Sequence, residues 1–128
     1  QDVPIFQGTL KENIVFNQEI SDEQVIEAMY RFQLGELYER LPEGLNTIVS
    51  EKGMNFSGGE KQRIAFTRLA FTQAEILILD EATSALDEKT EEKVLQEVQE
   101  FTHNKLTILV THRPKTLRFV DEIIDLNE

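Results

Sequence analysis

The chain has 128 residues, of which 40 % are hydrophobic and 29 % are charged. These proportions suit a folded domain with its own core and exclude a disordered chain. The net charge of −11 argues against nucleic acid as a partner, because binding to DNA or RNA requires lysine and arginine to neutralise phosphates. The absence of cysteine excludes disulfides and thiolate metal sites.

The sequence of the N-terminal part predicts two helices between irregular segments. Residues 2–14 show no strong period and are predicted to be irregular. Ser21 and Gln24 form a capping-box pattern with apolar residues following at helical spacing, which predicts the first helix. A short helix is predicted over 35–41 and a loop over 44–56.

The rest of the chain alternates helices and strands. A helix is predicted from Ser57 to about residue 71, and a strand over 76–80. That strand is apolar on both faces, which is typical of a buried parallel strand. The remaining predicted elements are a helix over 88–102, a strand over 105–111, a short helix over 114–119 and a strand over 122–126. This order predicts an α/β fold with a parallel sheet.

Acidic residues are expected on the solvated faces of these helices. They include the pairs Asp22-Glu23 and Glu91-Glu92, together with Glu97 and Glu100. Asp87 is expected to cap the helix over 88–102.

The sequence Ser57-Gly58-Gly59-Glu60 opens a helix. Ser57 and Glu60 fit a capping box, and an ordinary cap is the simpler interpretation of these four residues alone. Two adjacent glycines are not needed for a cap, but they let a phosphate approach the backbone N–H groups at the positive end of the helix dipole. Lys61-Gln62-Arg63 and the strand that follows favour the phosphate site.

Acidic residues and a histidine follow the two best-defined strands. Asp80 and Glu81 end the first strand, and His112 follows the second. Ligands bind at the carboxyl ends of parallel strands. There Asp80 can hold Mg²⁺, Glu81 can deprotonate a water that attacks a γ-phosphate, and His112 can donate a hydrogen bond to that phosphate. The alternatives are a polar loop after a strand and a structural histidine.

Together these motifs resemble the ATP-binding cassette (ABC) ATPases over essentially the whole chain. Residues 56–60 resemble the family signature, with Phe56 and Glu60 in place of the commoner Leu and Gln. The other matching features are Gln1 for the Q-loop, Asp80 for the Walker B aspartate, Glu81 for the catalytic glutamate, Ser84 to Asp87 for the D-loop and His112 for the switch histidine.

The resemblance implies a partial P-loop NTPase (RecA-like) parallel sheet with a helical ABC subdomain. Residues 1–72 would hold the Q-loop, helical subdomain and signature helix, and 73–128 the remainder of the core. The implied cofactors are ATP and Mg²⁺. The implied roles are catalysis for Glu81 and His112, metal binding for Asp80 and Gln1, and nucleotide binding for Ser57, Gly58, Gly59, Glu60, Gln1 and Asp87.

Residues 42–53 resemble the segment that precedes the signature in exporter-type members. This implies a transporter at the cytoplasmic face of the cell membrane, with a second nucleotide-binding domain as one partner. The other implied partner is a transmembrane domain that contacts residues near Gln1 to Ile14 and Ser50 to Gly53; no nucleic acid is implied. The alternatives are an ABC ATPase outside transport and a non-catalytic module that keeps the fold.

The P-loop pattern G-x-x-x-x-G-K-[ST] does not occur in the sequence. Gly53 and Gly58 have its spacing, but Gly59 stands where lysine is required. The family's P-loop is expected upstream of Gln1.

We predict that this chain, purified alone, neither binds ATP tightly nor hydrolyses it. The reason is that its carboxylates approach the phosphates without a P-loop lysine to offset their charge. Phosphate release would be measured with Mg²⁺ and ATP. Measurable turnover that disappears in Glu81→Gln would contradict this prediction.

Overall fold

The structure is a computed structural model that describes residues 3–50 and 56–126. Within these two stretches no helix combines the length and the apolar character needed to cross a membrane. The five α-helices are α1 (Leu10–Val15), α2 (Asp22–Arg31), α3 (Gly35–Arg40), α4 (Gly58–Leu69) and α5 (Glu88–Thr102).

Four strands form two separate pairs. The strands are β1 (Gly8–Thr9), β2 (Ile48–Val49), β3 (Ile76–Asp80) and β4 (Leu106–Val110). β1 and β2 are antiparallel, whereas β3 and β4 are parallel. Short 3₁₀ helices cover Gly44–Asn46 and Pro114–Phe119.

Side-chain caps determine where the main helices begin. Thr9, Ser21 and Ser57 each form a capping box at the start of α1, α2 and α4, and Asp87 caps α5. Each cap satisfies a backbone N–H that has no acceptor within the helix. The predicted capping boxes at Ser21 and Ser57 and the predicted cap at Asp87 are therefore confirmed.

Two apolar clusters form the core, and α4 contributes to both. The first gathers the helices before α4 and includes Ile64. The second packs α4 and α5 beneath β3 and includes Phe66 and Leu77. Ile64 and Phe66 are two positions apart on α4 and therefore point to different sides of the helix, so α4 lies between the two clusters.

The parallel pair β3–β4 is confirmed, but the prediction that β3 is buried on both faces is wrong. Leu77 faces the core, while Ile76 and Ile78 are 61 % and 66 % exposed. Neighbouring residues of a strand point to opposite faces. α4 and α5 pack on one face, and nothing within residues 3–50 or 56–126 buries the other.

The predicted strand over 122–126 is also absent from the described part of the chain. Ile123, Ile124 and Leu126 are all exposed. The segment therefore buries no apolar side chain that would offset the entropy of ordering it.

The sequence prediction also missed α1 and the β1–β2 pair. Residues 2–14 and 44–56 were predicted to be irregular, yet Gly8 pairs with Val49 and α1 follows directly. Local contacts of Asn13 and long-range contacts of Arg68 hold this region.

Asn13 is buried and makes three hydrogen bonds to the backbone around it. Its Oδ1 accepts from the Phe6 N–H at 2.7 Å, and its Nδ2 donates to the carbonyls of Phe6 and Thr9 at 3.0 Å each. Arg68 on α4 donates to the Asn13 and Pro4 carbonyls at 2.7 Å each. Burial lowers the pKa of Arg68 to about 10, so it stays charged at neutral pH.

We predict that Asn13→Ala lowers the free energy of unfolding by about 2 kcal/mol, because it removes three partly buried hydrogen bonds to the backbone of Phe6 and Thr9. Urea unfolding followed by circular dichroism measures this change. The matched control is Asn104→Ala, at an exposed turn position, which should have little effect. Equal losses in the two variants would contradict the role of Asn13.

Candidate functional site

The site is built around the turn over residues 81–87, which connects β3 to α5. Asp80 is the last residue of β3 and lies opposite Val110 of β4. The Glu81 N–H donates to the Val110 carbonyl at 2.8 Å, which extends the sheet contact by one residue. Glu81 has a φ of 48°, in the left-handed region that non-glycine residues seldom occupy. The chain therefore turns sharply where the acidic residues lie.

The structure brings Glu81 and His112 together. His112 Nε2 lies 3.1 Å from Glu81 Oε1. The parallel pairing accounts for this contact, because β3 and β4 end at the same edge of the sheet. The His112 side chain is 87 % exposed, so it is free to meet a ligand at this edge. The predicted proximity of the two residues is confirmed, and their catalytic roles stay predictions.

The start of α4, the end of the 81–87 turn and Thr90 of α5 line a cleft of about 370 Å³. Ser57, Gly58, Gly59 and Asp87 all line it, together with Arg63. The N–H groups of Gly58 and Gly59 begin the helix and have no acceptor within it. Together with the helix dipole, they favour an anion at this wall of the cleft. The Arg63 guanidinium donates to the Gly59 and Gln33 carbonyls, so the backbone N–H groups are the donors that fit a phosphate.

The glycines also allow the turn to pack closely on α4. A Cβ on Gly59 would lie 3.0 Å from the Ala85 carbonyl oxygen, and one on Gly58 would lie 3.5 Å from the Ala85 Cβ. A side chain at position 59 would therefore displace the turn.

Glu60 has two protein contacts of its own. Its Oε1 accepts from the Ser57 N–H at 2.9 Å, and its Oε2 lies 2.5 Å from Arg40 Nη2. The carboxylate thus completes the helix cap and forms an ion pair. Its predicted contact with a nucleotide stays a prediction.

The predicted site residues form two groups. Ser57, Gly58, Gly59 and Asp87 line the cleft, and its lining does not include Asp80, Glu81 or His112. Gln1, predicted to bind both nucleotide and metal, lies outside the described residues. The predicted site residues therefore lie on two distinct surfaces of one chain.

Over the two described stretches, no group of three or more His, Asp or Glu side chains converges as a metal site. Asp80 at the end of β3 is exposed. Mg²⁺ is commonly held by one or two carboxylates with substrate phosphates and water. A lone exposed aspartate at the ligand-binding edge of a sheet therefore fits Mg²⁺ bound together with a nucleotide.

Sequence reasoning missed the polar residues that hold the turn. Gln62 on α4 is buried; its Nε2 donates to Ser84 Oγ at 2.9 Å, and its Oε1 accepts from the Ala85 N–H at 2.8 Å. Gln62 thus ties α4 to the turn. Its place within Lys61-Gln62-Arg63, directly after the glycines, was the available signal.

Glu91 and Arg113 hold the turn from its other side. Glu91 was predicted to be solvated, but its side chain is only 5 % exposed, so that prediction is wrong. Its Oε2 accepts from Thr83 Oγ1 at 2.6 Å and from Arg113 Nη1 at 2.9 Å. An acidic residue one turn after a helix cap gave no sign of such partners, because they come from distant parts of the sequence.

Comparison with known proteins decides the family. A sequence model described as ABC transporter matches residues 1–84. The chain belongs to the ABC transporter family. The predicted resemblance to ABC ATP-binding domains is therefore confirmed.

The names of individual relatives agree with this family assignment. The chain is 41 % identical over 97 % of its length to the ABC transporter ATP-binding protein YwjA of Bacillus subtilis, and covers 22 % of that protein. It is 42 % identical over 99 % of its length to the mitochondrial iron-sulfur clusters transporter ATM1 of Saccharomyces cerevisiae, and covers 19 % of it. The chain thus spans about a fifth of the length of these curated relatives.

A solved structure confirms the fold class. The structure of a bacterial Atm1-family ABC exporter with ATP bound superposes with a TM-score of 0.80 at 36 % identity. The match covers 91 % of this chain and 21 % of that one. The chain therefore has part of the P-loop NTPase α/β fold, and the exporter-type resemblance is confirmed.

We predict that the cap of α5 weakens at acid pH. The Thr90 backbone N–H, followed by the Thr90 hydroxyl, holds the pKa of Asp87 below its ordinary value. Because the pKa is lower in the folded state, this stabilisation is present above the ordinary aspartate pKa of about 3.9 and is lost as the pH falls through the folded-state pKa.

Unfolding of wild type and Asp87→Asn at a series of pH values tests this prediction. Asparagine keeps the acceptor but does not titrate. Asp87→Asn should be less stable at pH 7, and the difference should shrink in acid. Asp121→Asn, at an exposed position, is the matched control. A difference between Asp87→Asn and wild type that is the same at neutral and acid pH would contradict the prediction.

Proposed function

We propose that the complete protein is an ABC exporter in which ATP hydrolysis drives transport across a membrane, and that this chain is part of its nucleotide-binding domain. The observation that carries the proposal is the 3.1 Å contact between Glu81 and His112. It joins a carboxylate and an imidazole at the carboxyl edge of two parallel strands. An acid–base pair at that edge suits the attack of water on a phosphoryl group.

Glu81 is proposed as the group that orients and deprotonates the attacking water. Its carboxylate can accept a proton from a water at hydrogen-bond distance. His112, largely exposed beside it, is proposed to donate a hydrogen bond to the γ-phosphate. The present Glu81–His112 contact keeps both groups on the same side of the strand ends, where the phosphate would lie.

Asp80 is proposed to hold Mg²⁺, with Gln1 as the second predicted ligand. The metal ion, when bound with ATP, offsets the phosphate charge. Asp80 suits this role because it lies at the strand end directly before Glu81.

The cleft beside α4 is proposed to bind the γ-phosphate of a second ATP. Ser57, Gly58 and Gly59 present the start of α4 to the cleft, and Asp87 lies on its other wall. Since Glu81 and His112 lie outside this cleft, one chain would contact two nucleotides. This arrangement supports a head-to-tail dimer with a second nucleotide-binding domain, in which each ATP lies between the strand edge of one chain and the cleft of the other.

The contact with the transmembrane domain is proposed to include the segment around α1. Phe6 and Phe16 are partly exposed there and stack edge to face with centroids 5.6 Å apart. The Arg68 guanidinium lies 4.9 Å from the Phe16 ring centroid. Because Arg68 belongs to α4, a push on these rings would be transmitted to the helix that begins with Gly58. Such a contact would place the chain at the cytoplasmic face of the membrane.

We predict that Glu81→Gln in the complete protein lowers the turnover of ATP by about 100-fold or more, because glutamine cannot accept the proton of the attacking water. ATP binding should survive, so the variant should accumulate an ATP-bound dimer. Phosphate release and size-exclusion chromatography with ATP measure the two effects.

The matched control is Glu75→Gln, which makes the same change immediately before the opposite end of β3. This control should retain wild-type turnover. Wild-type turnover in Glu81→Gln would remove Glu81 from the proposed role, and absence of turnover in the complete wild-type protein would remove the proposed function.

A further inference from the structure

The 81–87 turn is held by a single guanidinium from the segment that follows β4. Arg113 Nη1 donates to the Thr83 carbonyl at 2.5 Å, and Nη2 donates to the Leu86 carbonyl at 3.3 Å. The same Nη1 donates to Glu91 Oε2 at 2.9 Å. One side chain thus contacts two carbonyls of the turn and a carboxylate of α5.

The contact to Glu91 fixes this guanidinium in place. Glu91 is buried and also accepts from Thr83 Oγ1 at 2.6 Å. A buried carboxylate strongly favours a paired cation. The planar fork of arginine presents several donors in a fixed geometry, which a lysine ammonium does not. Thr83, Glu91 and Arg113 therefore form one connected network in which a shift of any member disturbs the others.

Arg113 also directly follows His112, which contacts the first residue of the same turn. His112 meets Glu81, while Arg113 meets Thr83 and Leu86. Two successive residues therefore hold the turn at its beginning, middle and end. The Arg113 N–H donates to Thr111 Oγ1 at 2.9 Å, which also constrains the backbone around His112.

We propose that Arg113 is a positioning residue that fixes His112 and the Glu81-bearing turn relative to each other. This inference rests on the proposed ATPase function. Arg113 acts through its neighbours: it sets the separation and orientation of the proposed general base and the proposed phosphate-contacting histidine. Small errors in such a geometry cost turnover more than they cost substrate binding.

A second arginine gives a matched control. Arg118 lies five positions further on, in the 3₁₀ helix Pro114–Phe119, and its Nη2 is 3.2 Å from Glu92 Oε1 on α5. Both side chains of that pair are about half exposed. Arg118 therefore repeats the charge pairing with α5, and its ion-pair partner Glu92 lies outside the 81–87 turn.

The test measures kcat and KM for ATP in the complete transporter with Arg113→Met, Arg113→Lys or Arg118→Met. Arg113→Met should lower kcat at least tenfold while KM changes less than about twofold. Arg113→Lys should recover part of kcat, because an ammonium can reach some of these acceptors. Arg118→Met should behave as wild type. Unchanged kcat in Arg113→Met, or a higher KM at unchanged kcat, would overturn the proposal.

A double variant distinguishes the positioning role of Arg113 from its neutralisation of the Glu91 charge. Arg113→Met leaves a buried carboxylate without its cation, which alone can impair folding. The double variant Arg113→Met/Glu91→Gln removes that charge but leaves the Thr83 and Leu86 carbonyls without the guanidinium. Its kcat per folded protein, determined alongside its melting temperature, should stay low. Recovery of wild-type kcat in the double variant would overturn the positioning role.

The experiment also separates this inference from the proposed function. If wild type turns over ATP and Glu81→Gln does not, the proposed function stands, and normal turnover in Arg113→Met then overturns only the role of Arg113. If the complete wild-type protein shows no turnover, both proposals fail together.

Discussion

The parallel pairing of β3 with β4 is the constraint on which the rest of the site depends. It aligns Asp80 with Val110, so residues that follow the two strands emerge at one edge. Glu81 and His112 meet for this reason, although they are far apart in sequence. An antiparallel pairing would place the two strand ends at opposite edges of the sheet. α5, which connects the two strands, packs beneath them in the same cluster as Phe66 and Leu77.

A second constraint comes from α4, which belongs to both apolar clusters. Its first residues line the cleft, its Gln62 side chain holds Ser84 and Ala85, and its Arg68 side chain holds the backbone around α1. These contacts involve polar groups that are wholly or partly buried, and such contacts tolerate small displacements poorly. The helix therefore mechanically links the proposed membrane-facing segment, the cleft and the turn that carries Glu81.

Local signals in the sequence were sufficient to predict α2, α4, α5 and the two parallel strands. Capping residues and apolar periodicity act within a few positions, so they can be recognised without knowledge of the fold. α1 and the β1–β2 pair escaped prediction because they depend in part on contacts between distant residues, namely the pairing of Gly8 with Val49 and the hydrogen bonds from Arg68 to the Pro4 and Asn13 carbonyls. The burial of Glu91 escaped prediction for the same reason, since its partner Arg113 lies 22 positions away.

The candidate site residues have a stronger signal in the sequence than the residues around them. Glycines at a helix start and acidic residues after an apolar strand indicate a candidate site by their residue types and by their order in the sequence. The apolar pattern of β3 was misread in one respect: it indicated burial on both faces, whereas the described residues cover only the face of Leu77.

The backbone of Glu81 has a consequence for the evolution of this position. A φ of 48° costs a non-glycine residue about 1 kcal/mol, which glycine would not incur. Selection for thermal stability alone would therefore favour glycine here and discard the carboxylate. A library screened only for heat resistance would therefore accumulate variants at position 81 that lack the proposed general base. At this strained glutamate, stability and the proposed turnover compete.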